Sequence, residues 1–222
     1  MFPLRDVIPS RTAPVVTVAL VAANVAAFLI QQWLSPASLV ALVGQWGLVP
    51  AHYSPASVFT AMFLHEGWLH AGANALALWI FGENVEDRLG RGRFLLFYLG
   101  CGVAAALAYT WRHPASPVPL VGASGAVAGV MGAYLVLYPG SRVLVAVWLL
   151  VRRELLEVAA VVFAGGWLLL HVASGLGVAA LPVVAAGGLA FWAQAGGFAA
   201  GAAAIKLLVR RERSGPDWYD PR

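Results

Sequence analysis

The fold of this chain is decided by residues 120–137, which read LVGASGAVAGVMGAYLVL. The run carries no charge and is long enough to cross most of a bilayer as a helix. Gly125 and Gly129 stand four residues apart in it, and Gly197 and Gly201 repeat that spacing in a later apolar run. Small residues at this spacing let helix backbones approach closely within a membrane. The pattern therefore predicts that these two helices pack against each other through their glycines.

The composition of the chain indicates an integral membrane protein. Of its 222 residues, 61% are hydrophobic and only 11% are charged, whereas about a quarter of the residues in a soluble domain are charged. The length leaves room for about six helices of roughly 20 residues each. Six apolar runs meet this requirement, at 15–34, 58–81, 94–109, 120–137, 155–172 and 188–209. We predict an all-α, six-helix membrane domain over residues 15–209, with a cytoplasmic N-terminal segment, 1–14, and a cytoplasmic tail, 210–222.

The basic residues support a topology in which both termini lie in the cytoplasm. Lys and Arg accumulate in the cytoplasmic loops of membrane proteins. With the N-terminus inside, the basic clusters all fall on the cytoplasmic side and only Arg112 lies outside. The net charge of +4 is thus explained by topology, and no nucleic-acid partner is expected because no soluble basic face exists. A further apolar run, residues 143–151, is too short to span and is expected at the interface.

Two histidines and an asparagine lie in the second apolar run, where polar side chains need partners. His65 and His70 are five residues apart, which on one helix separates them by roughly 140°. They are therefore not expected to share a metal ion. His70 and Asn74 are four residues apart and share a helix face, from which both can donate hydrogen bonds into one cavity. The alternative is that these two side chains only bond neighbouring helices together.

A serine and a glutamine are expected at the same depth in the membrane. Counted at 1.5 Å per residue from the expected membrane entries, Ser124 and Gln194 both lie roughly 8 to 10 Å below the outer surface. A hydroxyl group at this depth suggests acyl transfer by serine. The alternative is that Ser124 is only a small packing residue.

Together these motifs resemble those of the rhomboid intramembrane serine proteases, and the resemblance extends over essentially the whole chain. The residues that carry it are the Gly-x-Ser-Gly motif at Gly122, Ser124 and Gly125, the histidines and asparagine His65, His70 and Asn74, and the last-span glycines Gly197 and Gly201.

The resemblance implies a role for each of these residues. Ser124 would be the nucleophile, and His70, Asn74 and the N–H of Ser124 would form the oxyanion hole. His65 and the four motif glycines would support the site. The resemblance further implies no cofactor or metal, a substrate that is the transmembrane helix of a single-span protein, and a place in the inner membrane of a bacterial cell.

One position departs from the family pattern. The family pairs its serine with a histidine in the last span, and here Gln194 stands in that place. A carboxamide has no proton-accepting nitrogen near neutral pH, although it can hydrogen-bond to a hydroxyl. Loss of the base in a serine protease costs on the order of 10⁶ in kcat. Hydrolysis is therefore expected to be strongly impaired.

Several interpretations of Gln194 stay open from the sequence. The chain is a deliberately inactivated variant, a natural family member that binds or chaperones transmembrane helices without cleaving them, or an enzyme whose base lies elsewhere. His171, near the outer end of the fifth run, is the alternative base, although a histidine that snorkels to the membrane interface is the simpler explanation. A small six-helix transporter is a further class, against which stands the lack of an evident internal repeat.

Overall fold

The computed structural model describes residues 2–149, 152–175 and 182–209. The helices in these ranges are α1 (Val15–Gln32), α2 (Pro36–Trp46), α3 (Ser57–Thr60), α4 (Trp68–Leu89), α5 (Arg91–Arg112), α6 (Ser124–Leu137), α7 (Ala160–Gly175) and α8 (Pro182–Leu208). The strands are β1 (Phe2–Asp6), β2 (Arg142–Leu149) and β3 (Arg152–Ala159). The expected tail, residues 210–222, lies outside the described residues. The chain is thus mostly helical, with one small sheet.

Three of the predicted helix starts are wrong by five residues or more, and one of them is that of α8, which begins at Pro182 and not at residue 188. The second long helix begins at Trp68, because the residues from Ser57 to Phe63 form only short helical turns and an extended segment separates them from α4. The fifth run was expected to be helical from Leu155, but the chain stays in strand β3 until Ala159. Most of the short run at 143–151 lies in the partner strand β2, and the antiparallel pairing of β2 with β3 satisfies the backbone hydrogen bonds between their facing edges.

Helix α1 has the reverse of the arrangement found in a soluble protein. Its buried residues follow a helical spacing and include three polar ones, Thr17, Asn24 and Gln31. Its exposed face instead carries large apolar side chains, among them Val18, Val25, Leu29 and Ile30. In the described part of the chain, α1 and α5 both have the length and apolarity of a membrane span. A polar stripe inside and an apolar face outside are typical of a helix that contacts lipid.

The N-terminus of α1 is capped by a carboxylate from another helix. Pro14 precedes α1 and provides no side-chain cap. Glu86 of α4 instead accepts hydrogen bonds from the N–H of Val16 at 3.0 Å and from the N–H and hydroxyl of Thr17 at 2.7 and 2.8 Å. A buried anion is stabilised at a helix N-terminus by these free N–H groups and by the helix dipole. The contact fixes one end of α1 against α4.

The glycines of α6 and α8 bring the two helix backbones into contact. A Cβ atom added at Gly197 would collide with the carbonyl oxygen of Gly125, and one added at Gly201 would collide with that of Gly129. The same order of pairs along both helices means that α6 and α8 run parallel. On another side of α6, a Cβ at Gly125 would collide with Ala105 of α5. Helix α6 is therefore enclosed by its neighbours, and the predicted packing of these two helices is confirmed.

The sheet attaches the N-terminal segment to the helical core. Its strand order is β1-β2-β3, and both pairs are antiparallel. Val143 and Val145 of β2 are buried in the main hydrophobic core. Asp6, at the end of β1, is also buried, and its Oδ2 atom accepts hydrogen bonds from the Tyr134 hydroxyl at 2.6 Å and the Asn84 amide at 2.7 Å. One carboxylate thus joins β1 to α4 and to the end of α6 that is distant from Ser124.

We expect Gly201→Ala to destabilise the protein by about 1–3 kcal/mol, the usual cost of overpacking a well-packed core. The added methyl group meets a backbone carbonyl that cannot swing aside, so α6 and α8 must separate. Thermal unfolding in detergent measures the loss. Gly165→Ala in α7 is the matched control, because nothing lies within 4 Å of a Cβ atom placed there. Equal losses in the two variants would contradict the proposed contact.

The stability of the protein should fall as the pH rises towards neutrality. Burial raises the pKa of the Asp6 carboxyl from its ordinary value of 3.8 to about 7, hydrogen bonds from Tyr134 and Asn84 oppose the rise, and the nearby Glu83 carboxylate adds to it. At a pH between these two pKa values, the folded state holds a proton that the unfolded state has released. A lower pH therefore increases the free energy of unfolding. At about 1.36 kcal/mol per pKa unit, the effect amounts to a few kcal/mol.

Unfolding followed between pH 5.5 and 8 tests this dependence. Asp6→Asn removes the titrating group and keeps an acceptor oxygen for Tyr134, so the variant should show a flatter pH profile than the parent. An unchanged profile would assign the pH dependence to another group.

Candidate functional site

Ser124 is the first residue of α6 and is 4% exposed. The helix can begin here because Gly122 adopts a φ of 116°, a left-handed conformation that favours glycine, and its N–H bonds to the carbonyl of Ala61 at 2.8 Å. The first N–H groups of a helix have no acceptor within the helix. The serine hydroxyl therefore lies beside backbone donors that can stabilise a negative charge.

His70 lies directly against the turn that leads into Ser124. A Cβ atom added at Gly122 would be 2.7 Å from the Nε2 atom of His70. His70 occupies the first turn of α4, which packs on α6. The absence of a side chain at Gly122 thus makes room for the imidazole two residues before the serine.

Asn74 follows His70 by one turn of α4 and is buried. Its Nδ2 atom has no hydrogen-bond acceptor among the residues that the structure describes. A buried amide without an acceptor costs about 1–3 kcal/mol, and such groups are often kept where a ligand binds. His70 and Asn74 both lie within α4, so their spacing of four residues places them on one face of the helix, as the sequence predicts.

Gln194 of α8 lies at the level of Ser124. The carbonyl oxygen of the preceding residue, Ala193, is 3.6 Å from a Cβ atom placed at Gly125, and Gly197 contacts Gly125 one turn further on. Gln194 is 2% exposed, and its Oε1 atom accepts no hydrogen bond from the described residues. The Ser124 hydroxyl accordingly does not donate to this oxygen. The contact between α6 and α8 brings the two residues to a similar level, and their expected depth in the membrane stays a prediction.

The predicted separation of His65 and His70 is wrong. His65 precedes α4, which begins at Trp68, so the helical angle between the two histidines does not apply. The two imidazole rings lie edge to face with their centroids 5.2 Å apart. Gly67, immediately before α4, is the sequence signal that could have indicated a break between them.

His171 lies on α7, but its side chain falls outside the described residues. Its role as an alternative base therefore stays a prediction.

A cavity opens beside Ser124, between the loop before α4 and helices α5, α6 and α8. Its lining consists mainly of small and apolar residues, among them Met62, Gly102, Ala105, Gly122 and Ala193. Of the lining side chains only that of Ser124 carries a hydroxyl, amide or charged group. Sequence reasoning missed Met62 and Ala105, because neither belongs to a motif with recognisable chemistry.

The fold and the site define a helical membrane protein with polar groups buried among its helices. The protein-family model of the rhomboid domain matches residues 53–211, which is more than half of the chain. The chain belongs to the rhomboid family, and it is an integral membrane protein. This confirms the family resemblance seen in the motifs.

Individual relatives match shorter segments. Rhomboid protease GluP of Bacillus subtilis is 45% identical over 78 residues, which cover 35% of this chain and 15% of GluP. Rhomboid protein 1 of Saccharomyces cerevisiae mitochondria is 33% identical over 99 residues, which cover 43% of this chain and 29% of that protein. The human mitochondrial presenilin-associated rhomboid-like protein is 29% identical over 126 residues, which cover 55% of this chain and 33% of that protein. The chain thus spans less than a third of the length of the first two relatives.

Gly122→Ala should displace His70 and destabilise the protein. The left-handed conformation costs a non-glycine residue about 1–2 kcal/mol, and the new methyl group would also press on the imidazole. Thermal unfolding measures the first effect, and NMR of ¹⁵N-labelled histidine measures the second. Gly72→Ala in α4 is the control, since nothing lies within 4 Å of its Cβ position. A His70 signal that is unchanged in Gly122→Ala would contradict the contact.

Proposed function

We propose that this chain is a rhomboid-type intramembrane serine endopeptidase scaffold whose hydrolysis is strongly impaired by Gln194. Its substrates are single-span membrane proteins, each of which presents an unwound segment of its transmembrane helix to Ser124. The observation that carries the proposal is the meeting of α6 and α8, which places a buried serine and a buried carboxamide at one level.

Ser124 is the nucleophile in this proposal. Its hydroxyl oxygen attacks the scissile carbonyl carbon and forms a tetrahedral intermediate with a negatively charged oxygen. The Ser124 N–H, the His70 imidazole and the Asn74 amide stabilise this oxyanion. Two observations support these roles. His70 lies against Gly122, and the Nδ2 atom of Asn74 has no acceptor among the described residues.

Gln194 limits the reaction because the attack requires a proton acceptor. The carboxamide oxygen is too weak a base to take the serine proton near neutral pH. Removing the base of a serine protease costs on the order of 10⁶ in kcat, while the oxyanion donors still contribute. The chain as it stands thus retains the means to bind and orient a substrate helix without cleaving it at a useful rate.

Binding without cleavage is the alternative function, and Gln194 is the observation that favours it. A protein of this kind would hold or chaperone transmembrane helices beside Ser124 without cleaving them. In either case we propose six membrane spans within residues 15–209, both termini in the cytoplasm and a location in the bacterial inner membrane.

Gln194→His should restore cleavage of a single-span reporter by at least about 10³-fold, because an imidazole supplies the missing base. The measurement is the rate of reporter cleavage in proteoliposomes. Ser124→Ala in the same background should abolish the gain, and Gln194→Asn, which keeps an amide, should show none.

Two results would overturn the proposal. Efficient cleavage by the unmodified chain that depends on Ser124 would show that Gln194 does not limit the reaction. A Gln194→His variant that binds the reporter but stays inactive would favour the binding function.

A further inference from the structure

We propose that Gln31, in the last turn of α1, is a positioning residue that holds the His70 imidazole in place through His65. The inference rests on the proposed role of His70 in the oxyanion hole. In this inference, α1 controls the geometry of the site although it carries none of the proposed catalytic groups.

The Gln31 carboxamide forms two hydrogen bonds with the backbone of His65. Its Oε1 atom accepts from the His65 N–H at 2.9 Å, and its Nε2 atom donates to the His65 carbonyl at 3.1 Å. Both residues are 3% exposed. Two reciprocal bonds from one planar group fix both the position and the orientation of a residue, as paired strands do. They also satisfy a carboxamide that would otherwise be costly to bury.

The fixed residue lies next to the proposed oxyanion donor. The His65 ring lies edge to face with the ring of His70 at 5.2 Å. Phe28, one turn before Gln31, packs edge to face against two rings. Its ring centroid lies 6.2 Å from that of His65 and 5.0 Å from that of Trp68. Helix α1 therefore holds the segment before α4 by two hydrogen bonds and by ring contacts at both of its ends.

The pair of hydrogen bonds between Gln31 and the His65 backbone forms a clamp. The position of this clamp is fixed because α1 is also bonded to α4 at its other end. Glu86 of α4 bonds to the first turn of α1, and Gln31 bonds to the segment that precedes α4. The two helices are thus joined at both ends. His70 also meets Gly122, so a shift of His65 removes one of the contacts that hold the imidazole beside the turn before α6.

The test compares Gln31→Leu with Asn24→Leu in the full chain. Leucine is similar in size to glutamine and removes both bonds to His65. Asn24 is the matched control, because it is a buried carboxamide two turns earlier on α1 whose amide donates to the carbonyl of Leu20 in the same helix, at 2.8 Å, and which has no hydrogen bond to His65 among the described residues. Gln31→Glu retains an acceptor for the His65 N–H and should give an intermediate result.

The first measurement does not depend on catalysis. NMR of ¹⁵N-labelled histidine should show a changed or broadened His70 signal in Gln31→Leu and an unchanged one in Asn24→Leu, with His70→Ala used for assignment. If Gln31→Leu does not fold, the comparison between Gln31→Glu and the parent carries the test. A His70 signal unaffected by every folded Gln31 variant would overturn the proposal.

The second measurement uses the Gln194→His background. Because small misplacements of catalytic groups cost up to about 100-fold in rate, Gln31→Leu should lower kcat at least tenfold and leave KM within about twofold. Asn24→Leu should change neither constant to this extent. An equal fall in both variants would show a merely structural role and overturn the clamp. If Gln194→His is inactive while the His70 signal responds to Gln31, the proposed function fails and the clamp stands.

Discussion

The close approach of α6 and α8 is the contact on which the rest of the structure depends. The backbone carbonyls of Gly125 and Gly129 occupy the space that side chains at positions 197 and 201 would need. No other residue type permits this distance, because even a methyl group would collide with a carbonyl oxygen. The contact sets the relative height of the two parallel helices, and so brings Ser124 and Gln194 to one level. It also leaves α6 enclosed, so that a cavity beside its first residue is walled by neighbouring helices.

A second constraint is that polar groups buried among the helices need partners within the protein. Glu86, Asp6 and Gln31 meet this requirement in the same way, because each side chain forms two or three hydrogen bonds with groups that are distant in the sequence. Glu86 caps α1, Asp6 joins the sheet to α4 and α6, and Gln31 holds the segment before α4. The polar contacts are therefore also the contacts that fix the order and depth of the elements. Such bonds gain strength where water is scarce, and an unpaired group there is correspondingly costly.

The candidate site sets the buried Ser124 at the start of α6 and the buried Gln194, whose carboxamide has no basic nitrogen, at one level on α8. Membership of the rhomboid family and the arrangement around Ser124 agree on the scaffold. The carboxamide oxygen of Gln194 is buried without a donor among the described residues, and in the proposed function this side chain takes the place of the catalytic base. If the proposed function holds, binding and chemistry are separable, because the proposed oxyanion donors depend on packing whereas proton transfer depends on one residue.

The sequence alone determined the membrane class, the position of α6, the glycine contact with α8, and the family to which the chain belongs. These depend on composition, on helical spacing and on short motifs, which are local properties. Only the tertiary structure decided that Arg142–Leu149 and Arg152–Ala159 pair as antiparallel strands, that α4 begins at Trp68, and that the rings of His65 and His70 meet. It alone revealed the clamp between Gln31 and His65, which are 34 residues apart, and the bond between Asp6 and Tyr134, which are 128 residues apart. The physical reason is that a hydrogen-bond donor finds its acceptor in space, and helical periodicity carries no information on which distant segment will supply it.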